Sequence, residues 1–293
     1  MFKSGFVSLN GRPNVGKSTL INALVGSKIC IISSKAQTTR NKISAVYNDS
    51  DSQIVFIDTP GIHKPHNKLG EFMNKEAINA TYDVDRVIMI IDGSSEFGSG
   101  DNYVLDTLRG KDIILVINKI DLISKEQLFE LIKKLKELYP FRAIVPLSAK
   151  NNENVDELIR IIKKDLNEGP KYFPDDMICD HPEEFIIGEL IREKMLYLLK
   201  DEVPHSIACY VESIKKGPHN VLDISCVIVC ERDSQKGIII GKGGQMIKKI
   251  GIMARKDIEK LLGNRVNLVT FVKVKENWRD TPSRLKEFGY KDE

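Results

Sequence analysis

The first half of the chain alternates short apolar runs with longer segments in which apolar positions recur every three or four residues. The runs at 6–9, 42–47, 54–57, 87–91, 113–117 and 143–146 predict strands. The segments at 17–25, 68–82, 101–109, 125–139 and 155–166 predict helices. Runs such as VIMII (87–91) and IILVI (113–117) are apolar at every position, which leaves neither face of these strands for water. Strands of that kind, each followed by a helical segment, predict a mostly parallel sheet with helices on both faces, the doubly wound α/β class.

The rhythm stops at Asn167-Glu168-Gly169-Pro170, and the proline-containing KYFPDDM follows. This predicts an N-terminal domain over 1–168, a linker over 169–182 and a second domain over 183–293. The second domain opens with an amphipathic helix over 183–200. Two strands come next, 206–214 and 221–231, joined by the turn GPHN. A glycine loop, a helix to about 262 and a strand over 265–275 complete a small α+β unit. No internal repeat relates the two halves.

With 293 residues and 42% hydrophobic content, each half is large enough to bury a core. The net charge of +3 says little about partners, but its distribution does. Between 236 and 279 stand eleven basic residues against Asp257, Glu259 and Glu276, a concentration that fits a polyanion footprint. The five cysteines lack CxxC spacing and read as reduced thiols, mostly buried. His63 and His66 lie in a loop without a third ligand, so a metal role there is not expected. No apolar run approaches the roughly 18 residues that span a bilayer, and no leader-like segment precedes Asn10. A cytoplasmic protein is expected.

The segment Gly11-Arg12-Pro13-Asn14-Val15-Gly16-Lys17-Ser18, with Thr19 after it, follows a predicted strand and opens a predicted helix. That is the context a G-x-x-x-x-G-K-[ST] loop requires. Its glycines let backbone N–H groups curl around phosphate oxygens, and the helix N-terminus adds favourable potential. Lys17 brings charge to the β- and γ-phosphates, and the Ser18 hydroxyl is a ligand for Mg²⁺. Asp58-Thr59-Pro60-Gly61 follows the run IVFI, which puts a strand-end carboxylate near that cation and the Gly61 N–H within reach of a γ-phosphate.

Asn118-Lys119-Ile120-Asp121 selects the base. A carboxylate at Asp121 can accept from both N1–H and N2–H₂ of guanine, whereas adenine would leave it unpaired. Ser148-Ala149-Lys150 can place a backbone N–H at guanine O6. In Gln37-Thr38-Thr39-Arg40, either Thr38 or Thr39 could close on Mg²⁺ and the γ-phosphate and let go after hydrolysis. Lys17, Thr39 and Gly61 are the candidate catalytic groups, and Ser18, Asp58 and Thr39 the candidate metal ligands. Ile62 occupies the position where many such enzymes carry a glutamine to orient the attacking water, so slow intrinsic hydrolysis is expected.

GRPNVGKS, KAQTTRNKI, DTPG, NKID and SAK, followed by IIIGKGGQMIKKIG and VKVKENW, resemble the Era family. These are bacterial GTPases with a C-terminal KH domain of the second type. The likeness runs from about residue 4 to 290 and includes an apolar residue after DTPG, so Ile62 is no departure from it. It implies GTP and GDP with Mg²⁺ as ligands, the single-stranded 3′ region of 16S ribosomal RNA and the small ribosomal subunit as partners, and a monomer. For some members it implies peripheral contact with the inner membrane. Gly241-Lys242-Gly243-Gly244 fits the GxxG loop of KH domains, which clamps about four nucleotides of a single strand. Lys242, Lys248 and Lys249 supply the positive field, and Ile240, Ile247 and Ile250 would form part of an apolar groove for bases. Trp278 either stacks on a base or packs a domain edge.

Overall fold

The computed structural model describes residues 1–33, 35, 38–62 and 67–290. The described residues form two compact units, those among 1–65 and 73–180 and those among 66–72 and 181–293.

In the first unit the elements run β1 (Lys3–Asn10), α1 (Lys17–Val25), β2 (Ile43–Asn48), β3 (Ser52–Asp58), α2 (Lys68–Asn79, of which residues 68–72 count with the second unit), β4 (Arg86–Asp92) and α3 (Ser99–Thr107). They continue with β5 (Ile113–Asn118), α4 (Lys125–Leu138), β6 (Ala143–Pro146) and α5 (Val155–Asp165). The strands form one sheet in the order β2-β3-β1-β4-β5-β6. All neighbours are parallel except β2 and β3. That exception has a local cause: Asp49 Oδ1 accepts from the N–H groups of Asp51 and Ser52, making a turn too short for a crossover. The apolar runs are buried as their pattern requires, with Ile88, Met89, Ile90 and Ile113 to Ile117 all without exposed surface. Each such side chain contributes roughly 1.5–3 kcal/mol through its burial.

β1 has β3 on one side and β4 on the other, so the winding of the sheet reverses at β1. A crevice opens outside the carboxyl ends of the strands at such a reversal. Four of the sequence motifs begin at strand ends that feed it: Gly11 after β1, Asp58 at the end of β3, Asn118 at the end of β5 and Ser148 just beyond β6.

Residues 169–180, expected as part of a linker, run along the outer strands of this sheet. Gln53 accepts from the N–H groups of Tyr172 and Phe173, and Val46 N–H donates to Ile178 O. Cys179 bridges Ala45 in antiparallel fashion. These bonds use polar groups that the edge strand would otherwise leave open.

The second unit contains α6 (Glu183–Leu198), β7 (Ala208–Lys216), β8 (Leu222–Cys230), α7 (Asp233–Ile240), α8 (Gln245–Leu262), β9 (Val266–Val274) and α9 (Pro282–Glu287). The sheet order is β7-β8-β9, antiparallel and then parallel. α8 buries Ile250, Ala254 and Ile258, one face at four-residue spacing, and Gly263 in the left-handed region ends it. The helix α7 was not expected. Gly237 and three successive isoleucines argue locally against a helix, but Gln235 Oε1 caps its start by accepting from Glu231 and Arg232 N–H, and Ile239 is fully buried. Tertiary burial outweighs propensity here.

Ile250 belongs to this core and is fully buried, so it cannot line a base groove as the sequence suggested. Trp278 is fully buried as well. Its Nε1–H donates to Ser206 O over 2.9 Å, and its ring stacks on Tyr290 and meets Phe288 edge-on. Of the two roles open to it, packing is the one it fills.

Candidate functional site

The loop between β1 and α1 bends through Asn14 and Gly16, both at positive φ. A Cβ on Gly16 would lie 2.2 Å from Asn118 Nδ2, so only glycine lets these loops meet. Asn118 uses that approach: Nδ2 donates to Val15 O over 2.9 Å, while Oδ1 accepts from Lys119 and Ala149 N–H. Three loops from separate strands are thereby joined through one amide.

Lys17 is buried, and its ammonium donates to the carbonyls of Gly11 and Arg12 at 3.0 and 3.1 Å. Burial lowers its pKa to about 8, against the opposing pull of the Asp58 carboxylate. A charge held with so little solvation is strongly attracted to a phosphate. Pro13, Asn14, Lys17, Ser18, Thr19, Thr38, Thr39, Gly61 and Lys119 line a cleft of about 310 Å³, joined by Ile31, Ile32 and Ser33.

At one end of the cleft three oxygens converge. Ser18 Oγ donates to Asp58 Oδ2 over 2.9 Å, Thr39 Oγ1 lies 2.9 Å from Ser18 Oγ, and Thr39 Oγ1 reaches Asp58 Oδ2 at 3.3 Å. Thr38 Oγ1 instead donates to Lys35 O, so Thr39 is the threonine whose hydroxyl meets Ser18 and Asp58. Gln37 of the same segment, and the pair His63 and His66, lie outside the described residues. Asp58 has no exposed surface, and burial pushes its carboxyl above the usual range despite Lys17 and bonds from Ser18, Cys30 and Thr39. Its buried Oδ1 has no hydrogen-bond partner. An unpartnered buried carboxylate oxygen beside two hydroxyls is an all-oxygen donor set that fits Mg²⁺. Among the described residues no cluster of three or more His, Cys, Asp and Glu offers a rival metal site.

Thr59 Oγ1 donates to Leu9 O, and Pro60, Gly61 and Ile62 are buried behind it. A Cβ on Gly61 would stand 2.8 Å from the backbone nitrogen of Pro13, so the loops after β1 and β3 touch there. The Ile62 side chain points into the core, packed with Ala77, Met89, Ile91 and Phe97. Beyond β5, Asp121 Oδ1 accepts from Ser148 Oγ at 2.5 Å, while Lys150 is exposed. Lys119 Nζ donates to Asn14 O and to Asp92 Oδ2. Asp92 was not singled out from the sequence, although a carboxylate ending an apolar strand was the available signal.

The second unit carries a separate groove of about 280 Å³. It is lined by Ile247, Lys248, Gly251, Ile252 and Arg255 of α8 and by Asn267, Leu268 and Thr270 of β9. Gly241, Gly243 and Gly244, all at positive φ, form the turn between α7 and α8. Lys242, Lys248 and Lys249 are exposed and Ile240 is half-buried. Sequence reasoning named Ile247 and Lys248 but missed the five lining residues beyond Gly251 and Gly251 itself; a four-residue spacing on the solvent face of α8 was the signal.

A family model described as a 50S ribosome-binding GTPase matches residues 6–119, and a KH-domain model matches 202–279. The chain is 55% identical to GTPase Era of Clostridioides difficile over the whole of both chains. It is 51% identical to GTPase Era of Lacticaseibacillus paracasei, covering 98% of this chain and 96% of that one. A crystal structure of Era with MgGDPNP and nucleotides 1506–1542 of 16S ribosomal RNA superposes with a TM-score of 0.95 at 41% identity, covering 99% of each chain. A variant of Aquifex aeolicus Era bound to GDP·AlF₄⁻ gives 0.95 at 40%, with the same coverage. With relatives more than half identical along their full length, the chain belongs to the Era family of GTPases.

Proposed function

We propose that this protein hydrolyses GTP to GDP and phosphate, and that its nucleotide state controls binding of the single-stranded 3′ region of 16S ribosomal RNA during small-subunit assembly. The observation that carries the nucleotide part is the convergence of Ser18, Thr39 and Asp58 at the end of a cleft that also holds Lys17 and Gly61. The domain assignment follows: 1–168 for nucleotide, 169–182 as connector and 183–293 for RNA.

Ser18, Thr39 and Asp58 would hold Mg²⁺, which when bound would supply positive charge to the phosphate oxygens. Lys17 exchanges its two carbonyl partners for phosphate oxygens, and the Gly61 N–H donates to the γ-phosphate. Water attacks the γ-phosphorus as the bond to the β-phosphate oxygen breaks, and GDP leaves. Ile62 offers no polar atom to orient that water, so intrinsic turnover is slow. Asp121, aligned by Ser148, reads guanine. Loss of the γ-phosphate releases Thr39 and with it the closed loop.

RNA lies in the groove between α8 and β9. Gly241–Gly244 lets its backbone approach, Lys242, Lys248 and Lys249 supply charge, and Ile240 and Ile247 contact bases. The chain acts as a monomer in the cytoplasm, and the same basic stretch makes any peripheral contact with the inner membrane; among the described residues no helix is long and apolar enough to cross one.

The test is affinity for a 16S 3′-end oligonucleotide in GTP-analogue and GDP states, with turnover measured in parallel. A difference between the states supports the switch, and equal affinities remove nucleotide-controlled RNA binding. Cosedimentation with anionic vesicles and analytical ultracentrifugation check the membrane contact and the monomer.

A further inference from the structure

Arg12 belongs to the phosphate loop, yet its guanidinium is bound elsewhere. Nε donates to Asp101 Oδ1 over 2.7 Å and Nη2 to Ser95 Oγ over 3.0 Å. Asp101 lies in the first turn of α3 and is 1% exposed. Its second oxygen, Oδ2, accepts from Gly98 N–H, so the carboxylate is fixed by its own helix before it meets Arg12. Gly100 provides the track: a Cβ there would stand 2.6 Å from Arg12 Cδ.

The backbone that this side chain anchors is the part of the loop that faces Gly61. The Arg12 carbonyl accepts from Lys17 Nζ, and Ile62 N–H donates to Gly11 O over 3.4 Å. Pro13, the next residue, is in contact with Gly61. The loop is therefore held from one side by α3 and pressed on the other by the segment that carries the γ-phosphate donor. If Arg12 slips, Pro13 moves relative to Gly61, while the diphosphate end at Gly16 stays tied through Asn118 and Val15.

We propose that Asp101 is a positioning residue for GTP, acting through Arg12 to set the spacing between the phosphate loop and Gly61, and so favouring the triphosphate over the diphosphate. This rests on reading the cleft as a guanine-nucleotide site. The guanidinium is held at two points, by one charge-assisted bond to the buried Asp101 carboxylate and one bond to Ser95 Oγ, which fixes direction as well as distance.

The test compares the affinities of fluorescent GDP and a fluorescent non-hydrolysable GTP analogue in full-length wild type, Asp101→Asn, Arg12→Met, the double variant and Gly100→Ala. Asp101→Asn is expected to weaken the GTP analogue about tenfold and GDP less than about threefold. In the Arg12→Met background it should change the ratio no further. Gly100→Ala leaves Asp101 and its helix cap in place but displaces the arginine stem, and it should shift the ratio in the same direction even if Asp101→Asn folds poorly. Equal losses for the two nucleotides, or an undiminished Asp101→Asn effect without Arg12, would overturn the proposal and reduce Asp101 to a helix cap. A wild-type protein that bound neither nucleotide would overturn the nucleotide reading and this inference together.

Discussion

Ser18 Oγ donates to Asp58 Oδ2 over 2.9 Å, although one residue lies in the first turn of helix α1 and the other ends strand β3. The carboxylate is wholly buried and one of its oxygens has no partner, so in the absence of a cation it carries a desolvation cost. Asp58→Asn keeps an acceptor for Ser18 and Thr39 but removes the charge. The two consequences have opposite signs. Thermal unfolding without nucleotide should occur at or above the wild-type temperature, because the desolvation of the Asp58 charge outweighs the attraction of Lys17. Mg²⁺-dependent turnover should fall about a hundredfold or more. A variant that lost stability and kept turnover would show that Asp58 holds the fold and not the cation.

Asp121 accepts from Ser148 Oγ, which leaves its other oxygen for the guanine proposed to bind there. Asp121→Asn replaces an acceptor by a donor, which suits the 2-oxo group of xanthine and not the 2-amino group of guanine. GDP affinity should drop by roughly a hundredfold while XDP affinity rises, since a site built around a hydrogen bond rejects the base that cannot complete it. Competition between the two nucleotides by equilibrium fluorescence measures the switch.

The strand ends and their loops were legible because two signals coincide there: an apolar run that stops, and polar or glycine residues whose spacing suits phosphate or guanine. Gly11–Ser18, Asp58 and Asn118 are of this kind, and the reversal of winding at β1 brings them together. What was not legible depends on partners distant in sequence. Arg12 and Asp101 are 89 residues apart, and neither residue alone announces the pair. Helix α7 contradicts its own local propensity and exists because Ile239 has a core to enter. Residues 169–180 look like a linker since their glycine and prolines say so; their pairing with β2 is decided by an open sheet edge. Between Thr38 and Thr39 the sequence favours Thr39 without excluding Thr38, and a single backbone carbonyl, Lys35 O, takes up the Thr38 hydroxyl.

At the glycine turn of the second unit, Gly243 is in the left-handed region at φ 58° and has open space around its Cα. Aspartate tolerates that conformation better than most residues. Gly243→Asp should therefore fold, and would set a negative charge where the proposed function brings an RNA phosphate. The expected result is a loss of RNA affinity of at least about tenfold with a shallower dependence on salt, one phosphate contact on a single strand being worth about 0.7 of a unit of slope. GDP affinity should be unchanged, which titration of both ligands on the same preparation checks.

Cys226 is buried in β8, and burial pushes its thiol up to about 12 from an ordinary value near 9. The unfolded chain gives up this proton first. Its contribution to stability is thus complete below about pH 9 and is lost as pH rises towards 12, with a slope of about 1.4 kcal/mol per pH unit inside that window. Urea midpoints should fall between pH 9 and 11, and Cys226→Ala should make that fall shallower. At pH 8 the folded thiol should resist a disulfide reagent that labels it promptly in urea.

Ile62 follows the loop that carries Gly61, where an orienting glutamine would be expected in a fast enzyme, and its side chain is 2% exposed in the core formed with Met89, Ile91, Phe97 and Leu105. The backbone direction at this position, and not the residue type alone, keeps it from the nucleotide. Ile62→Gln would then place an amide in the core and leave the attacking water as it was. Burying that amide without partners should cost about 1–3 kcal/mol in urea unfolding, and single-turnover hydrolysis should remain within about twofold of wild type. The outcome that counts against this account is a gain of roughly tenfold or more in rate, well above what a core defect produces. Such a gain would mean that the side chain can leave the core and reach the γ-phosphate, so that the slow reaction is a matter of chemistry at this position and not of where the loop aims it.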